Sequence, residues 1–347
     1  MNAMAGIREV FGVVLLTAAA AAESGSTVNG LVAYLRGAIA KHESDPQIAR
    51  YLQKVKLTES LDDTTIEQLE SAGVGPKGVE ALESLRDASR ALPPPKEAVP
   101  GFESPPSPGL DELRHILAET RKQALAYNET LPDFICTQTV RRYLDPKATD
   151  SWKETDTLTV KLSYYRQKED YQLQLVNGKP AMKSYESAGG AVSKGEFGSM
   201  LLEVFDPASG AAFRWDHWTT LRKHKAIVFS YRIAAAKSRY QILYEGGGER
   251  LTVTAGQHGL VYVDAETNAV LRLMREAEDL PGNFPIKKAN SLVDYDFTSV
   301  GGRQFLLPLR AELRMLSETG QNRNVVEFRD YRKFSGESSI SFDLKDK

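Results

Sequence analysis

Cysteine is nearly absent from this 347-residue chain, Cys136 being the only one. No intramolecular disulfide can form, and a zinc or iron–sulfur centre built on thiolates is excluded because each needs several. Charge of one sign is missing as well: 44 Lys and Arg face 46 Asp and Glu, a formal net charge of -2. Nothing global therefore draws the chain to nucleic acid or to an anionic membrane surface. The five histidines, His42, His115, His217, His224 and His258, show no H-E-x-x-H or other i, i+4 pairing for a hydrolytic metal. Long apolar runs are also lacking, since none reaches the roughly 20 residues that a bilayer-spanning helix needs.

What is present begins at the N-terminus. The run VFGVVLLTAAAAA at 10–22 follows Arg8 and precedes Glu23 and Ser24, with Ala20 and Ala22 at the positions of an A-x-A cleavage site. Glu9 is an acidic residue at the edge of that run, and Met4 is a second start. The pattern predicts a secretory signal over 1–22, and no cysteine follows it to be lipidated. The product is expected to be periplasmic or secreted, and at most peripheral to a membrane.

Residues 93–109, PPPKEAVPGFESPPSPG, hold seven of the sixteen prolines. Such density removes backbone donors and favours extended chain, so a semi-rigid linker is expected there. The preceding 23–92 reads as a small helical module: Asp45 as an N-cap before Pro46, a Thr64-x-x-Glu67 capping box ending at Gly73, then Val79, Leu82 and Leu85 at helical spacing. Beyond the linker, Leu110, Leu113, Leu117, Ala124, Tyr127 and Leu131 make one stripe of a helix over 110–131.

From there the period becomes two. Leu158, Val160, Leu162 and Tyr164 alternate with polar residues, as do Tyr171, Leu173 and Leu175, and Phe305, Leu307, Leu309, Ala311, Leu313 and Met315 fall on one face opposite Arg310, Glu312 and Arg314. About ten or eleven strands with short turns are expected, too many for a flat open sheet. The fold class is α+β: a strongly curved antiparallel half-barrel wrapping the long helix over 110–347, preceded by the helical module.

Candidate chemistry is sparse. GVGPKG at 73–78 lies between two helices and resembles the hairpin of helix-hairpin-helix DNA-binding modules, but Lys77 and Arg86 stand among Glu67, Glu70, Glu80, Glu83 and Asp87, which repel a phosphate backbone. It lacks the P-loop spacing too. The cluster WDHWTTLRKHK at 215–225 invites His217 as a base beside Asp216, yet adjacent strand residues point to opposite faces unless a bulge intervenes, and no G-x-S-x-G nucleophile accompanies it. Asp264, Asp294 and Asp296 read as strand-end or solvent-facing carboxylates. No catalytic residue, metal or cofactor is assigned, and the chain is expected not to be an enzyme.

The amphipathic helix, the immediate strand FICTQTVRRY (134–143), the hairpin LVYVDAETNAVLRL (260–273) and the pair NSLVDYDFTSVGGRQFLLPLRAEL (290–313) together resemble the LolA-like superfamily of lipoprotein carriers, lipoprotein-sorting proteins and RseB-type envelope-stress sensors. The likeness spans 110–347. It leaves out the helical module, and YESAGGAVSKGEFGSMLLEVFDPASG (185–210) is a longer excursion than a minimal carrier needs; Glu196 to Phe205 within it reads as a short helix or lid. The resemblance implies an apolar concavity that holds an acyl chain or lipidated protein, with Leu158, Val160, Leu162, Leu173, Leu175, Leu307, Leu309, Leu313 and Met315 as candidate lining. Each of these is equally a core position packed on the 110–131 helix. The alternative is an envelope protein-interaction module with no internal ligand; no nucleic-acid partner is expected.

Overall fold

A computed structural model describes residues 25–97, 106–182, 184–188, 197–246 and 249–334. The signal segment 1–22, the middle of the proline-rich stretch and Glu196 lie outside them. The chain divides into two compact units, Met1–Glu103 and Ser104–Lys347.

Among the described residues the first unit has four helices: α1 (Val28–Ala40), α2 (Asp45–Leu52), α3 (Asp63–Ala72) and α4 (Pro76–Ser89). Their apolar faces meet in one core containing Leu31, Leu35, Ile48, Leu52, Leu69 and Leu82. The caps fall earlier than expected, by one residue at α2 and two at α3. Ser44, not Asp45, caps α2, with the Gln47 side chain accepting from the Ser44 N–H at 2.9 Å. Asp62 caps α3, accepting from the Thr65 N–H at 2.7 Å, so the Thr64 box is not used. Asp45 is thereby released to reach across the module. Its two carboxylate oxygens accept from the backbone N–H groups of Lys77 (2.9 Å) and Gly78 (2.8 Å), filling the N-terminus of α4 with an internal anion. Gly75 and Gly78 of GVGPKG follow from that approach: a Cβ on Gly75 would lie 2.6 Å from the Asp45 carboxyl carbon and one on Gly78 3.1 Å from its Oδ1, whereas Gly73 ends α3 at φ +120.

The second unit opens with α5 (Leu110–Thr130), then β1 (Phe134–Asp145), β2 (Lys153–Tyr165), β3 (Lys168–Val176), β4 (Lys179–Pro180), α6 (Ser199–Phe205), β5 (Ala212–Leu221), β6 (His224–Ile233), β7 (Tyr240–Gly246), β8 (Glu249–Asp264), β9 (Val270–Glu278), β10 (Ile286–Val300), β11 (Arg303–Ser317) and β12 (Gly320–Lys333). These twelve strands, one or two more than the alternation predicts, form one antiparallel sheet in the order β4-β3-β2-β1-β12-β11-β10-β9-β8-β6-β5, with β7 on the N-terminal half of β8. The sheet does not close, and pairing of β1 with β12 brings the first and last strands together.

One face of the sheet carries the main core, in which Ile116, Ala124 and Tyr127 of α5 and Met200, Leu201, Val204 and Phe205 of α6 join Phe134, Val160, Phe229, Leu273 and Tyr295. Leu110, placed on the helix stripe by its spacing, is instead 72% exposed. The alternation along β11 is also interrupted. Pro308 stands opposite Tyr295 and Arg310 opposite Asp294, which leaves Leu309 as a β-bulge, so the one-face pattern from Phe305 to Met315 is broken there. Cys136 lies in this core at 2% exposure. Burial pushes its thiol up to about 12, against a hydrogen bond with Tyr331 that pulls the other way. Ellman's reagent at mildly alkaline pH is expected to leave the folded protein unmodified and to titrate one thiol at once in guanidinium, because only the thiolate reacts.

The opposite face carries charge in ladders. Arg272, Asp294, Arg310 and Glu327 stand in one cross-strand row from β9 to β12, and Glu312 takes hydrogen bonds from Arg310 and Arg323, both 3.0 Å, and from Arg314. Arg222, in the two-residue turn between β5 and β6, reaches the carbonyls of Tyr295 (2.7 Å) and Leu271 (3.2 Å) and the Asp294 carboxylate (3.3 Å).

Candidate functional site: a cavity beneath the long helix

Thr120, Gln123, Ala124 and Tyr127 occupy one face of α5 at the i, i+3, i+4, i+7 spacing of neighbouring helical turns. With Ala126 and Thr130 they roof a cavity of about 300 Å³, whose other walls are Leu201 of α6, Thr267, Ala269 and Val270 around the β8–β9 turn, Phe297 of β10 and Leu306 of β11. Lys122 stands at its edge. The lining is mostly apolar, and its size sits at the lower end of sites for small organic ligands.

Hydrogen bonds and ring contacts hold the walls. The Tyr127 hydroxyl donates to the Leu306 carbonyl at 2.9 Å and its ring meets Tyr295 edge-on at 6.0 Å. Burial, then the neighbouring Tyr295, raises the Tyr127 phenol well above its ordinary range, so it stays a neutral donor. The Gln123 amide donates to the Thr267 carbonyl at 2.6 Å, tying α5 to the β8–β9 turn. That turn is pinned by Asp264, only 2% exposed, which accepts from the N–H groups of Glu266 (2.8 Å) and Thr267 (2.9 Å) and binds His224 Nδ1 at 2.7 Å. The His224 ring in turn packs against Phe297, centroids 5.9 Å apart. At the helix junction, α6 comes close enough to α5 that a Cβ on Gly198 would lie 1.8 Å from Asn128 Oδ1, and Gly198 sits at φ +117.

One polar group in this lining is unsatisfied. Thr120 is 0% exposed and its Oγ1 has no hydrogen-bond partner among the described residues. A buried hydroxyl without a partner costs about 1–3 kcal/mol, which a ligand carrying a donor or acceptor would recover.

The residues chosen from alternation fall elsewhere. Leu158, Val160, Leu162, Leu173 and Leu307 belong to the main core, Leu313 is buried outside it, Leu175 and Leu309 are half-buried, and Met315 packs against a smaller cluster with Tyr240, Ile242 and Phe284. None of the nine is in the cavity lining. The lining that sequence reasoning missed comes from the polar side of the α5 stripe and from the small residues of AETNAV, for which helical spacing around Ala124 and Tyr127 was the available signal. Three His–carboxylate pairs also form: His224 with Asp264, His258 Nδ1 with Glu278 at 2.8 Å, and His217 with Asp216. A bulge at Asp216, the exception to strand alternation, lets its carboxylate meet His217 Nδ1 at 2.6 Å, both side chains being about a third or more exposed. Among the described residues no group of three or more His, Cys, Asp or Glu is gathered for a metal, and no helix is long and apolar enough to cross a membrane.

Comparison with known protein families and with curated proteins finds no match. Comparison with solved structures does. The fold resembles that of LolA-superfamily and lipoprotein-sorting proteins. A LolA superfamily protein of Nitrosomonas europaea is 10% identical with TM-score 0.34, the match covering 64% of this chain and 93% of that one. A putative outer membrane lipoprotein-sorting domain of Vibrio parahaemolyticus is 13% identical with TM-score 0.30, covering 65% and 94%. The Mycobacterium tuberculosis lipoprotein LppX is 8% identical with TM-score 0.25, covering 64% and 97%. These likenesses concern the fold and say nothing of which molecule this chain holds.

Proposed function

We propose that this is an exported, non-enzymatic binding protein of the cell envelope that takes an acyl chain of a lipid or lipoprotein into the cavity beneath α5. The cavity carries the proposal: about 300 Å³ with a mainly apolar lining and one buried, unpartnered hydroxyl at Thr120. Apolar burial is worth roughly 25 cal/mol per Å², so such a site needs few polar anchors. Thr120 and Gln123 are the groups placed to meet a head group or ester. The curved sheet wraps α5 as a half-barrel, and Leu158, Val160, Leu162, Leu173 and Leu307 of the main core form the apolar face along which a longer chain extends once α5 and α6 part.

A fluorescent polyene fatty acid titrated into the full chain tests this. Saturable binding is expected, weakened at least about tenfold, ~1.4 kcal/mol, by Ala126→Phe, which fills the cavity from a half-buried helix position. Absence of saturable binding in a folded protein, or equal affinity in the filled variant, would overturn the site and turn attention to a protein-contact role.

A further inference from the structure

The aromatic cluster of WDHWTTLRKHK and the proline-rich segment meet in the structure, away from the cavity. Trp218 on β5 donates its indole N–H to the Pro106 carbonyl at 3.0 Å, and Lys225 Nζ lies 4.4 Å from the centre of the Trp218 ring. Because of the bulge at Asp216, Trp215 and Trp218 both pack partly against the main core, on the same side of the strand. The Trp215 indole N–H is buried and has no hydrogen-bond partner among the described residues. β5 ends the sheet, paired only with β6 among the described residues.

We propose that Trp215 and Trp218 form a recognition site for extended proline-rich peptide, and that the chain's own proline-rich segment at Pro106–Pro108 occupies it in cis. The chemistry of the two sides is complementary. Prolines have no N–H, so a proline-rich segment offers carbonyl acceptors and ring faces. An indole offers one donor and a flat apolar face and no acceptor. Aromatic grooves read polyproline II helices in this way, at low ordering cost because the ligand is already extended. Spacing agrees as well: three strand residues advance at most ~10 Å and one polyproline II turn ~9 Å. The second indole N–H is thus available to a carbonyl one turn away from the one Trp218 holds.

Tryptophan emission reads the contact directly, since Trp152, Trp215 and Trp218 are the only three, and a Trp152→Phe background leaves the two in question. In that background, Pro106→Ala with Pro108→Ala is expected to shift emission to the red and raise acrylamide quenching. An acetylated oligoproline amide added in trans should reverse the shift and bind this variant at least tenfold more tightly than the parent. Trp218→Phe, which keeps a ring and removes the donor, should lose that gain. The proline changes lie in the connecting segment before α5 and leave the core intact, so their outcome is readable even if Trp218→Phe folds poorly. Unchanged emission in the proline variant, or oligoproline binding that does not respond to freeing the site, overturns the proposal.

Discussion

Glu312→Ala is expected to lower the unfolding free energy of the β-sheet unit by about 3–5 kcal/mol, the cost of stranding buried charge by removing its partner, and to drop its thermal midpoint by roughly 10 °C. Glu312 is 11% exposed and receives Arg310, Arg314 and Arg323, so its loss leaves three guanidinium groups crowded on one patch of sheet. Burial opposes ionisation of this carboxyl, but Arg314, Arg323 and Arg310 outweigh it and hold it well below the usual carboxylate range. Asp294 is held down similarly, burial being overcome by Arg272 and Arg222. Depressed folded-state values mean that the unfolded chain takes up protons first as pH falls. Stability should therefore be flat above about pH 5–6, decline once the unfolded carboxyls begin to titrate near ~4, and go on declining to the lower folded values. Urea midpoints across that range measure both effects; a wild-type profile insensitive to acid, or a Glu312→Ala midpoint within error of the parent at neutral pH, would contradict the assignment.

The same residues show how much of the structure was legible beforehand. Alternation in Leu158, Val160 and Leu162 is apolar because one sheet face carries the core, and that regularity can be read directly. The break at Leu309 and the bulge at Asp216 cannot, because a bulge is a tertiary accommodation that leaves no mark in local composition. Turns divide in the same way. Asn177-Gly178 carries the expected chemistry for a two-residue hairpin with both φ values positive, whereas Arg166-Gln167 and Arg222-Lys223 adopt positive φ with none of it. In Arg222 the compensation is visible: its guanidinium is fixed by Asp294 and two carbonyls on other strands, and no window of sequence contains those partners. The cavity was missed for a related reason. Its space is left by Ala and Thr on α5 and by the small residues of a turn, with Tyr127, Leu201, Phe297 and Leu306 as the remaining walls, while the alternating leucines that stand out in sequence pack elsewhere.

Asp45→Ala should destabilise the helical module by about 3 kcal/mol, taking two hydrogen bonds to a charged group at the low end of their range. The module is small enough for that to be a large share of its stability. With the carboxylate gone, the N–H groups of Lys77 and Gly78 at the start of α4 lose their acceptor and the helix loses an anion at its positive end. Asp45→Asn, which keeps an acceptor oxygen and loses the charge, should fall between. Gly78→Ala tests the same junction from the other side: the added methyl would lie 2.4 Å from Val74 Cγ1 and 3.1 Å from Asp45 Oδ1, so α2 and α4 would be forced apart. Calorimetry of the full chain, with helix ellipticity followed in parallel, should show the helical transition moving down while the β-sheet transition stays in place. A helical transition unmoved by Asp45→Ala would mean that water satisfies those amides as well as the carboxylate does. If the transition moves as expected, the GVGPKG turn is an internal capping device whose anion is supplied by the chain itself, which leaves its amides no vacancy for a phosphate.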